Sequence, residues 1–514
     1  MKTILMVMST VLFAVGAAIA APAKSANAGK GKSGKSSVAG IRTVFLPSPA
    51  NPLVALRLVF QVGSVDDPAG KQGLAHLTAT MLGKGGSKPR TYAELLDALY
   101  PLAAQIHVYG DKETVVFEGT VHRDNLTRFA DLLADQVLAP RFDDDDFARN
   151  RQDALDFVTK TLRGNADEDL GKQAMATVLF RGHPYATPSQ GTVAGLNATS
   201  LDDVKKLYTS HFTRDRLIVG VAGGYPDGFA EAFAKRFAAL PAKAPPLPKL
   251  PPVVVPKRNQ VIIVEKDARA DAVSIGRPID VTRKDADFYP LTVARSYLGE
   301  HRTFNGVLMI RLRETRGLNY GDYAYIENFI QDSYTTFPLP NIPRRQQHFE
   351  IWLRPVPPHN ALFALRAALF ETDKLIRDGI PQEGFEATRT FLMNYSSLWA
   401  QDATRRLGFA IDAVITGKDI IKELQDRLAK MKKADVDRAV RKHLGLSGLT
   451  IAIVADKAQA VADTLASGAP TGITYDTAGT PPDVVAEDDL IKRFVLPIEK
   501  DAISVIPVDQ MFEK

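Results

Sequence analysis

The stretch DVKKLYTSHFTRDRLIVGVAG, residues 203–223, aligns without a gap with DVDRAVRKHLGLSGLTIAIVA, residues 435–455. His211 matches His443, and branched apolar residues alternate in the second part of both copies. Each copy has the pattern of a helix with a basic C-terminal end, then a turn and a strand. We interpret both histidines as helix-end residues, because the helix dipole favours positive charge there. Because these two similar stretches lie far apart in the sequence, they predict two copies of one structural unit.

A proline-rich run separates the two copies. Residues 244–256 read APPLPKLPPVVVP, and proline at this density excludes a helix or a central strand. The run is typical of a semi-rigid linker, and 514 residues are more than one domain usually holds. We therefore predict a first domain, a linker, a second domain and a C-terminal extension without an assigned role, over residues 41–243, 244–257, 258–467 and 468–514.

Strand and helix patterns are interspersed within the first copy. Apolar, strand-like runs at residues 53–62 and 115–121 are followed by helical patterns at 123–137 and 144–161. The strand runs are paired like hairpins rather than alternating singly with helices. This order predicts an α+β fold used twice, in which each domain is a mostly antiparallel sheet with helices packed on one face.

The N-terminal segment has the features of a secretory signal. Residues 1–20 read MKTILMVMSTVLFAVGAAIA, with one lysine, an apolar run and the small residues Ala18 and Ala20 at a cleavage site. The alternative is a membrane anchor, but the apolar run is short for a span. We predict an exported protein, periplasmic or extracellular, without a stable membrane span. The Ala/Gly/Ser/Lys-rich residues 21–40 are expected to be a disordered spacer.

Composition narrows the possible partners. The chain has no cysteine, so it uses no disulfides after export and carries no lipoprotein anchor. Lysine and arginine exceed aspartate and glutamate by 64 − 59 = 5. An excess this small does not indicate a nucleic-acid partner.

Residues 73–81, GLAHLTATM, contain a damaged metal motif. In the inverted zinc motif H-x-x-E-H, two histidines bind zinc and the glutamate activates water. His76 occupies the first position, whereas Ala79 replaces the glutamate and Thr80 replaces the second histidine. A helix places residues four apart on one face, so positions 76 and 80 would both face a metal. We expect His76 to be an ordinary, partly exposed helix residue.

This region resembles the insulinase/pitrilysin family of zinc peptidases, which includes the two-subunit mitochondrial processing peptidases. The resemblance covers roughly residues 54–456 and rests on GSVDDPAGKQGLAHLTATMLGKGGSKPRT from Gly63 and GHPYATPSQG from Gly182. It implies two homologous domains that form half of a clamshell. It also implies a glutamate as third zinc ligand, at the position that Phe157 occupies here. Three of the four metal-site positions thus carry unsuitable side chains.

A second motif is intact. Residues 310–322 read IRLRETRGLNYGD, with Arg313 and Tyr320 seven residues apart. The family resemblance implies that this pair binds the substrate backbone and the carbonyl oxygen. Such a role is chemically reasonable, since a guanidinium and a phenol can stabilise the charge that develops on an attacked peptide carbonyl. The alternative is a surface arginine and a packing tyrosine at a strand start.

The sequence therefore predicts the non-metal subunit of a heterodimeric zinc peptidase, inactive alone. No cofactor is expected in this chain, and zinc is expected in a partner subunit of the same family with an intact H-x-x-E-H motif. The expected substrate is an unfolded peptide. The alternative is a non-catalytic scaffold or peptide-binding member of the same fold. A self-sufficient zinc protease conflicts with Ala79, Thr80 and Phe157.

Overall fold

The structure is a computed structural model, and it describes residues 36–330, 336–476 and 478–514. The expected signal peptide and most of the expected spacer lie outside these residues. Within them, no helix is both long enough and apolar enough to cross a membrane.

The first sheet has six strands in the order β1-β2-β6-β3-β5-β4. Neighbouring strands are antiparallel except for β2 and β6, which are parallel. The strands are β1 (Ser36–Val38), β2 (Ile41–Pro47), β3 (Leu53–Phe60), β4 (His107–Gly110), β5 (Val115–His122) and β6 (Leu217–Gly223).

The second sheet repeats this arrangement in the order β12-β7-β11-β8-β10-β9. β7 is parallel to both β11 and β12, and the remaining pairs are antiparallel. The strands are β7 (Gln260–Glu265), β8 (Asp271–Ile279), β9 (Asp322–Tyr325), β10 (Gln347–Val356), β11 (Thr450–Ala455) and β12 (Ile503–Pro507). The order β7-β11-β8-β10-β9 matches β2-β6-β3-β5-β4, so the α+β fold with two mostly antiparallel sheets is confirmed.

The α-helices of the first half are α1 (Leu74–Lys84), α2 (Tyr92–Leu99), α3 (Leu126–Leu138), α4 (Asp144–Asp156), α5 (Asp167–Leu179), α6 (Val193–Ala198), α7 (Leu201–His211) and α8 (Phe229–Arg236). Those of the second half are α9 (Phe288–Gly299), α10 (Ala361–Asp378), α11 (Gln382–Leu398), α12 (Ala403–Thr416), α13 (Ile420–Leu428), α14 (Lys433–His443), α15 (Ala458–Ser467) and α16 (Pro482–Lys492). Two short π-helical segments cover Phe157–Asn165 and Met309–Glu314.

The two histidines of the repeat are the last residues of α7 and α14, as predicted. His443 Nε2 lies 2.8 Å from a carboxylate oxygen of Asp287, and His211 Nε2 lies 3.8 Å from Asp66. The His443 imidazole therefore links the end of α14 to the rest of its half, whereas His211 is too far from Asp66 for a hydrogen bond. Among the residues that the structure describes, neither histidine belongs to a group of side chains that could hold a metal ion.

The halves exchange one helix each. α5 of the first half packs across β8 and β11 of the second sheet, and α12 of the second half packs across β3 and β6 of the first. Glycine makes room at both crossings. A Cβ at Gly220 would lie 2.8 Å from Ile411 Cδ1 of α12, and one at Gly276 would lie 2.6 Å from Met175 Sδ of α5. Each sheet is thus covered by its own helices on one face and by a helix of the other half on the opposite face.

A buried polar network also joins the halves. Arg344 donates two hydrogen bonds to Asp111, at 2.9 and 2.8 Å. Arg57 of β3 donates to the Asn341 side chain at 2.7 Å, and the Asn341 backbone N–H donates to Asp412 of α12 at 3.0 Å. Buried charges are tolerated when they are paired and hydrogen-bonded in this way. Removing one member would leave its partner buried without a counter-charge.

The proline-rich run has no helix or strand, as expected, but it is held against both halves. Arg216 donates to the Pro245 carbonyl at 2.8 Å, and Arg345 donates to the Pro248 carbonyl at 2.8 Å. Val253 packs against Phe180 and its apolar neighbours. The proline-rich run is therefore held in a fixed position against both halves.

The C-terminal extension is part of both halves. β12 adds an edge strand to the second sheet. Beyond it, Met511 and Phe512 are buried in the core that contains α1 and α5. The Phe512 and Glu513 carbonyls accept hydrogen bonds from the Val193 and Ala194 N–H groups at the start of α6, at 2.9 and 2.8 Å. The extension, to which the sequence assigned no role, adds one strand to the second sheet and links that sheet to the first half.

Gly220→Val tests the helix exchange. The added methyl groups would overlap Leu407 and Ile411 of α12, and overpacking of this kind costs about 1–3 kcal/mol. We expect a lower thermal unfolding midpoint, measured by circular dichroism. The control is Gly164→Val, at an exposed glycine where an added Cβ would have no other atom within 4 Å, and it should change stability by less than about 0.5 kcal/mol. Equal effects of the two substitutions would contradict the packing argument.

Candidate active site

The helix that carries the damaged motif is α1, and its start is fixed by two loops. Gly73, just before the helix, has φ = 108°, a conformation that favours glycine. A Cβ there would lie 2.7 Å from the Gln190 carbonyl oxygen and 2.8 Å from Leu196. The Asp67 carboxylate accepts hydrogen bonds from the Gly73 and Ala75 N–H groups at 2.8 and 2.7 Å. The two segments singled out in the sequence, from Gly63 and from Gly182, therefore meet at this helix.

The metal-facing positions of α1 do not form a metal site. The Thr80 hydroxyl donates to the His76 carbonyl at 2.9 Å, within the same helix. Ala79 is buried in the core of the first half. His76 is half-buried, and burial, with a smaller contribution from Lys84, lowers its pKa to about 4. The imidazole is thus neutral near pH 7, without a second ligand one helical turn away.

The third position is equally unsuitable. The helix expected over residues 144–161 is present, and from Phe157 onward α4 continues as a π-helical segment. The Phe157 ring packs against the apolar core beneath α1 and lines a cavity between the halves. Within the described residues, no group of three or more His, Cys, Asp or Glu side chains is placed to hold a metal ion. The side chains present do not fit a zinc ion.

Arg313 and Tyr320 are in contact with each other, whereas the metal-site positions carry side chains that do not fit a zinc ion. The Arg313 guanidinium carbon lies 5.0 Å from the centre of the Tyr320 ring and 5.1 Å from that of Phe304. Tyr320 is 68% exposed, and Phe304 is 60% exposed. Arg354 lies 5.2 Å from the Tyr320 ring. The pair thus forms a basic, aromatic surface that is open to a ligand.

The neighbouring arginines are neutralised, and this singles out Arg313. Arg316 donates to Asp488 and Glu487 of α16, both at 2.7 Å, and its side chain has no exposed surface. Arg311 is paired with the same Glu487. Across the described part of the chain, the only ion pair of Arg313 is with the exposed Glu314 at 3.4 Å, and an exposed ion pair is weak. The C-terminal extension therefore holds the π-helical segment in place and leaves one guanidinium available.

Hydrogen bonds from the Asn319 side chain fix the turn between Tyr320 and β9. Asn319 donates to the Asp322 carboxylate at 2.6 Å and to the Arg354 carbonyl at 3.1 Å. Asp322 is completely buried, and burial raises its pKa to about 8, against the opposing effects of Asn319 and Arg313. The backbone on both sides of Tyr320 is thus held while its ring stays exposed.

Among the described residues, no hydrogen bond, ion pair or ring contact joins His76, Ala79, Thr80 or Phe157 to the Arg313–Tyr320 pair. The sequence motifs identified both sets, but two supporting features were missed. The acidic pair Glu487 and Asp488 lies in an extension without a recognisable motif. Arg354 lies in β10 and has no sequence signal of its own.

Two family models match the chain. The model described as "Insulinase (Peptidase family M16)" matches residues 42–192, and the model described as "Peptidase M16 inactive domain" matches residues 198–392. The second match includes Arg313 and Tyr320. Together the two matches extend over most of the described residues.

Curated relatives with similar sequences are uncharacterised zinc proteases. One from Mycobacterium bovis is 25% identical over 297 residues, which cover 56% of this chain and 66% of the relative. One from Bacillus subtilis is 21% identical over 292 residues, covering 56% and 69%. The match thus spans just under two thirds of the mycobacterial relative's length.

Solved structures share the fold. The peptidase M16 inactive domain from Pseudomonas fluorescens has a TM-score of 0.71 at 20% identity, covering 81% of this chain and 95% of that one. The periplasmic protease PqqL from Escherichia coli has a TM-score of 0.63 at 13% identity, covering 88% and 49%. At these identities the likeness establishes the architecture, two domains that each combine a mixed sheet with packed helices.

The purified chain alone is expected to bind no stoichiometric zinc and to cleave no peptide. Thr80, Phe157 and Ala79 replace two ligands and the general base, and a single imidazole is a poor zinc site. Metal analysis after dialysis, together with a peptidase assay, measures both properties. One tightly bound zinc per chain with chelator-sensitive cleavage would contradict this prediction.

Proposed function

The chain belongs to the insulinase family of peptidases, M16, and from that premise we propose that it is the subunit of a two-chain zinc peptidase that does not hold the metal. A partner of the same family, with an intact H-x-x-E-H motif, would hold the zinc. This chain would contribute Arg313 and Tyr320 to a shared active site. The substrate class that fits this arrangement is an unfolded peptide.

The observation that carries the proposal is the contrast between the two motifs. The metal side has lost two ligands, at Thr80 and Phe157, and the general base, at Ala79, and these positions are packed or hydrogen-bonded internally. Tyr320 is exposed and in contact with the half-buried Arg313. A buried ion pair of Arg316 supports the pair on one side, and a hydrogen bond from Asn319 supports it on the other. Support of this kind around a side chain exposed to solvent favours a binding role over simple packing.

The chemistry of the pair suits peptide hydrolysis. The partner's zinc would supply the activated water. When the peptide carbonyl is attacked, negative charge develops on its oxygen, and the Tyr320 O–H would donate a hydrogen bond to that oxygen. The Arg313 guanidinium keeps its charge at any working pH and offers several donors to the substrate backbone. Both groups stabilise charge without themselves acting as nucleophile or base.

A second candidate function is a scaffold or peptide-binding protein of the same fold. It is favoured by the second family match, whose description is that of an inactive domain. A scaffold needs the two sheets and the exchanged helices, but it does not need the phenol of Tyr320. The two candidates therefore differ in their response to substitutions that remove one functional group.

Tyr320→Phe should leave the complex assembled but slow. Loss of one hydrogen-bond donor to an oxyanion typically lowers kcat by about 100- to 1,000-fold. Arg313→Ala should do similar harm and should also raise KM, since a fixed charge that binds substrate is lost. The measurement is kcat and KM of the reconstituted pair on an unfolded peptide, with assembly checked by gel filtration.

Two matched substitutions serve as controls. Tyr100→Phe removes the hydroxyl of a tyrosine that is 87% exposed, and His76→Ala removes the remaining motif histidine. Both should leave kcat/KM almost unchanged. Full activity of the Tyr320→Phe and Arg313→Ala pairs would refute the shared site and favour the scaffold. Greatest sensitivity at His76 would indicate a metal site in this chain.

We further propose that the protein is exported. The support is the signal-like segment of residues 1–20, and one structural neighbour, the Escherichia coli protease, is described as periplasmic. Mass spectrometry of the mature protein should find a new N-terminus just after Ala20. A retained Met1 in a membrane fraction would instead show that the segment is an anchor.

A further inference from the structure

A cavity of about 350 Å³ lies between the halves and is lined in part by the Phe157 ring that replaces the third zinc ligand. The first half contributes Phe157 and Lys172 to its wall, and the second half contributes Asn328, His348 and Glu350. The volume lies at the lower end of the roughly 300–1,000 Å³ typical of small-molecule sites. The cavity is separate from the exposed surface formed by the Arg313–Tyr320 pair, neither of which lines it.

Several polar atoms of the wall have no partner within the described residues. Glu350 is 4% exposed. Its Oε2 lies 3.1 Å from His348 Nε2, but its Oε1 has no hydrogen bond. His348 Nδ1 and the side-chain nitrogen of Asn328 are also buried without a partner. A buried polar group without a partner costs about 1–3 kcal/mol, so three of them around one cavity indicate a missing ligand.

A positive charge accompanies the carboxylate in the wall of the cavity. Lys172 Nζ lies 3.4 Å from the centre of the Trp352 ring, a favourable cation–π contact. No ion pair joins Lys172 to Glu350 among the described residues, although each charge favours the ionised form of the other. Burial lowers the pKa of Lys172 and opposes the effects of Glu350 and Asp169. The wall thus holds a separated cation and anion.

Of the other charged groups that line the cavity, Asp169 is exposed to solvent, and the rest are already paired or hydrogen-bonded. Asp111 and Arg344 form a bidentate pair, and the Lys112 ammonium donates to the Thr187 carbonyl. The rest of the wall includes apolar side chains, namely Phe157, Phe180, Met175 and Phe329. A ligand for this cavity needs one negative group, one positive group and an apolar remainder.

We propose that this cavity binds a free α-amino acid with an apolar side chain, as its zwitterion. The carboxylate of the ligand would accept hydrogen bonds from Lys172 and Asn328. Its ammonium would donate to Glu350 Oε1, and its side chain would lie against the phenylalanine rings. Both charged groups would then be paired and hydrogen-bonded, which is the condition for burying them. The proposal does not depend on a peptidase function for the chain.

Calorimetric titration of the full chain with L-leucine and L-phenylalanine tests the proposal. Saturable binding of one ligand per chain is expected. N-acetyl-L-leucine lacks the ammonium and L-leucinamide lacks the carboxylate, so each should bind at least about tenfold more weakly, because each loses a charge-assisted hydrogen bond. No saturable heat with either amino acid up to about 10 mM, a concentration that detects affinities in the millimolar class, would overturn the proposal. Binding of both derivatives as tightly as L-leucine would also overturn it.

Two variants locate the site. Glu350→Gln keeps an acceptor for His348 but removes the negative charge, and Lys172→Met keeps the length of the side chain without its ammonium. Each should weaken L-leucine binding by at least about tenfold. The controls Glu383→Gln and Lys206→Met change exposed residues outside the cavity and should bind like the unaltered protein. Unchanged affinity in both cavity variants would place the ligand elsewhere and refute the proposal.

Discussion

The exchange of α5 and α12 between the halves is the contact on which the rest of the structure depends. Each helix covers a face of the other half's sheet that the helices of that half leave bare, and each does so against a glycine, Gly276 or Gly220. Neither sheet can bury both of its faces without the other half. Two copies of one unit are therefore a single packed body over the described residues, and the polar network around Asp111 and Asn341 fixes their relative position.

A second set of contacts, made by the C-terminal extension, explains how the surface around Arg313 can be both exposed and ordered. Its segment is anchored by Leu312 in the core of the second half and by carboxylates of the C-terminal extension, which pair with Arg311 and Arg316. An arginine triplet with two members neutralised presents one guanidinium in a defined place. Preorganisation of this kind is what electrostatic stabilisation of a developing charge requires. On the metal side, the Thr80 hydroxyl donates to a carbonyl of its own helix and the Phe157 ring packs against an apolar core. Neither side chain is therefore available to bind a metal.

The sequence predicted those parts of the fold that depend on local pattern. The repeat, the helix-end histidines and the loss of the metal motif can all be recognised from short stretches. The helix exchange could not be predicted, because the amphipathic patterns of α5 and α12 indicate that a face is buried but not which sheet buries it. The cavity could not be predicted for a similar reason, since Phe157 and Glu350, which both line it, are far apart in the sequence. The acidic pair of the extension is indistinguishable from solvated charge until Arg316 is placed beside it.

The extension also determines what the chain exposes during synthesis. A ribosome makes a protein from its N-terminus onward, so β12 and Phe512 leave the ribosome after β7 and α6. Until then β7 lacks its outer neighbour, and the N–H groups at the start of α6 lack the carbonyls of Phe512 and Glu513. Contacts between positions so distant in sequence form late and slowly. A chain that does not yet contain β12 therefore exposes the edge of β7, and that edge becomes protected from association only when β12 has paired with it.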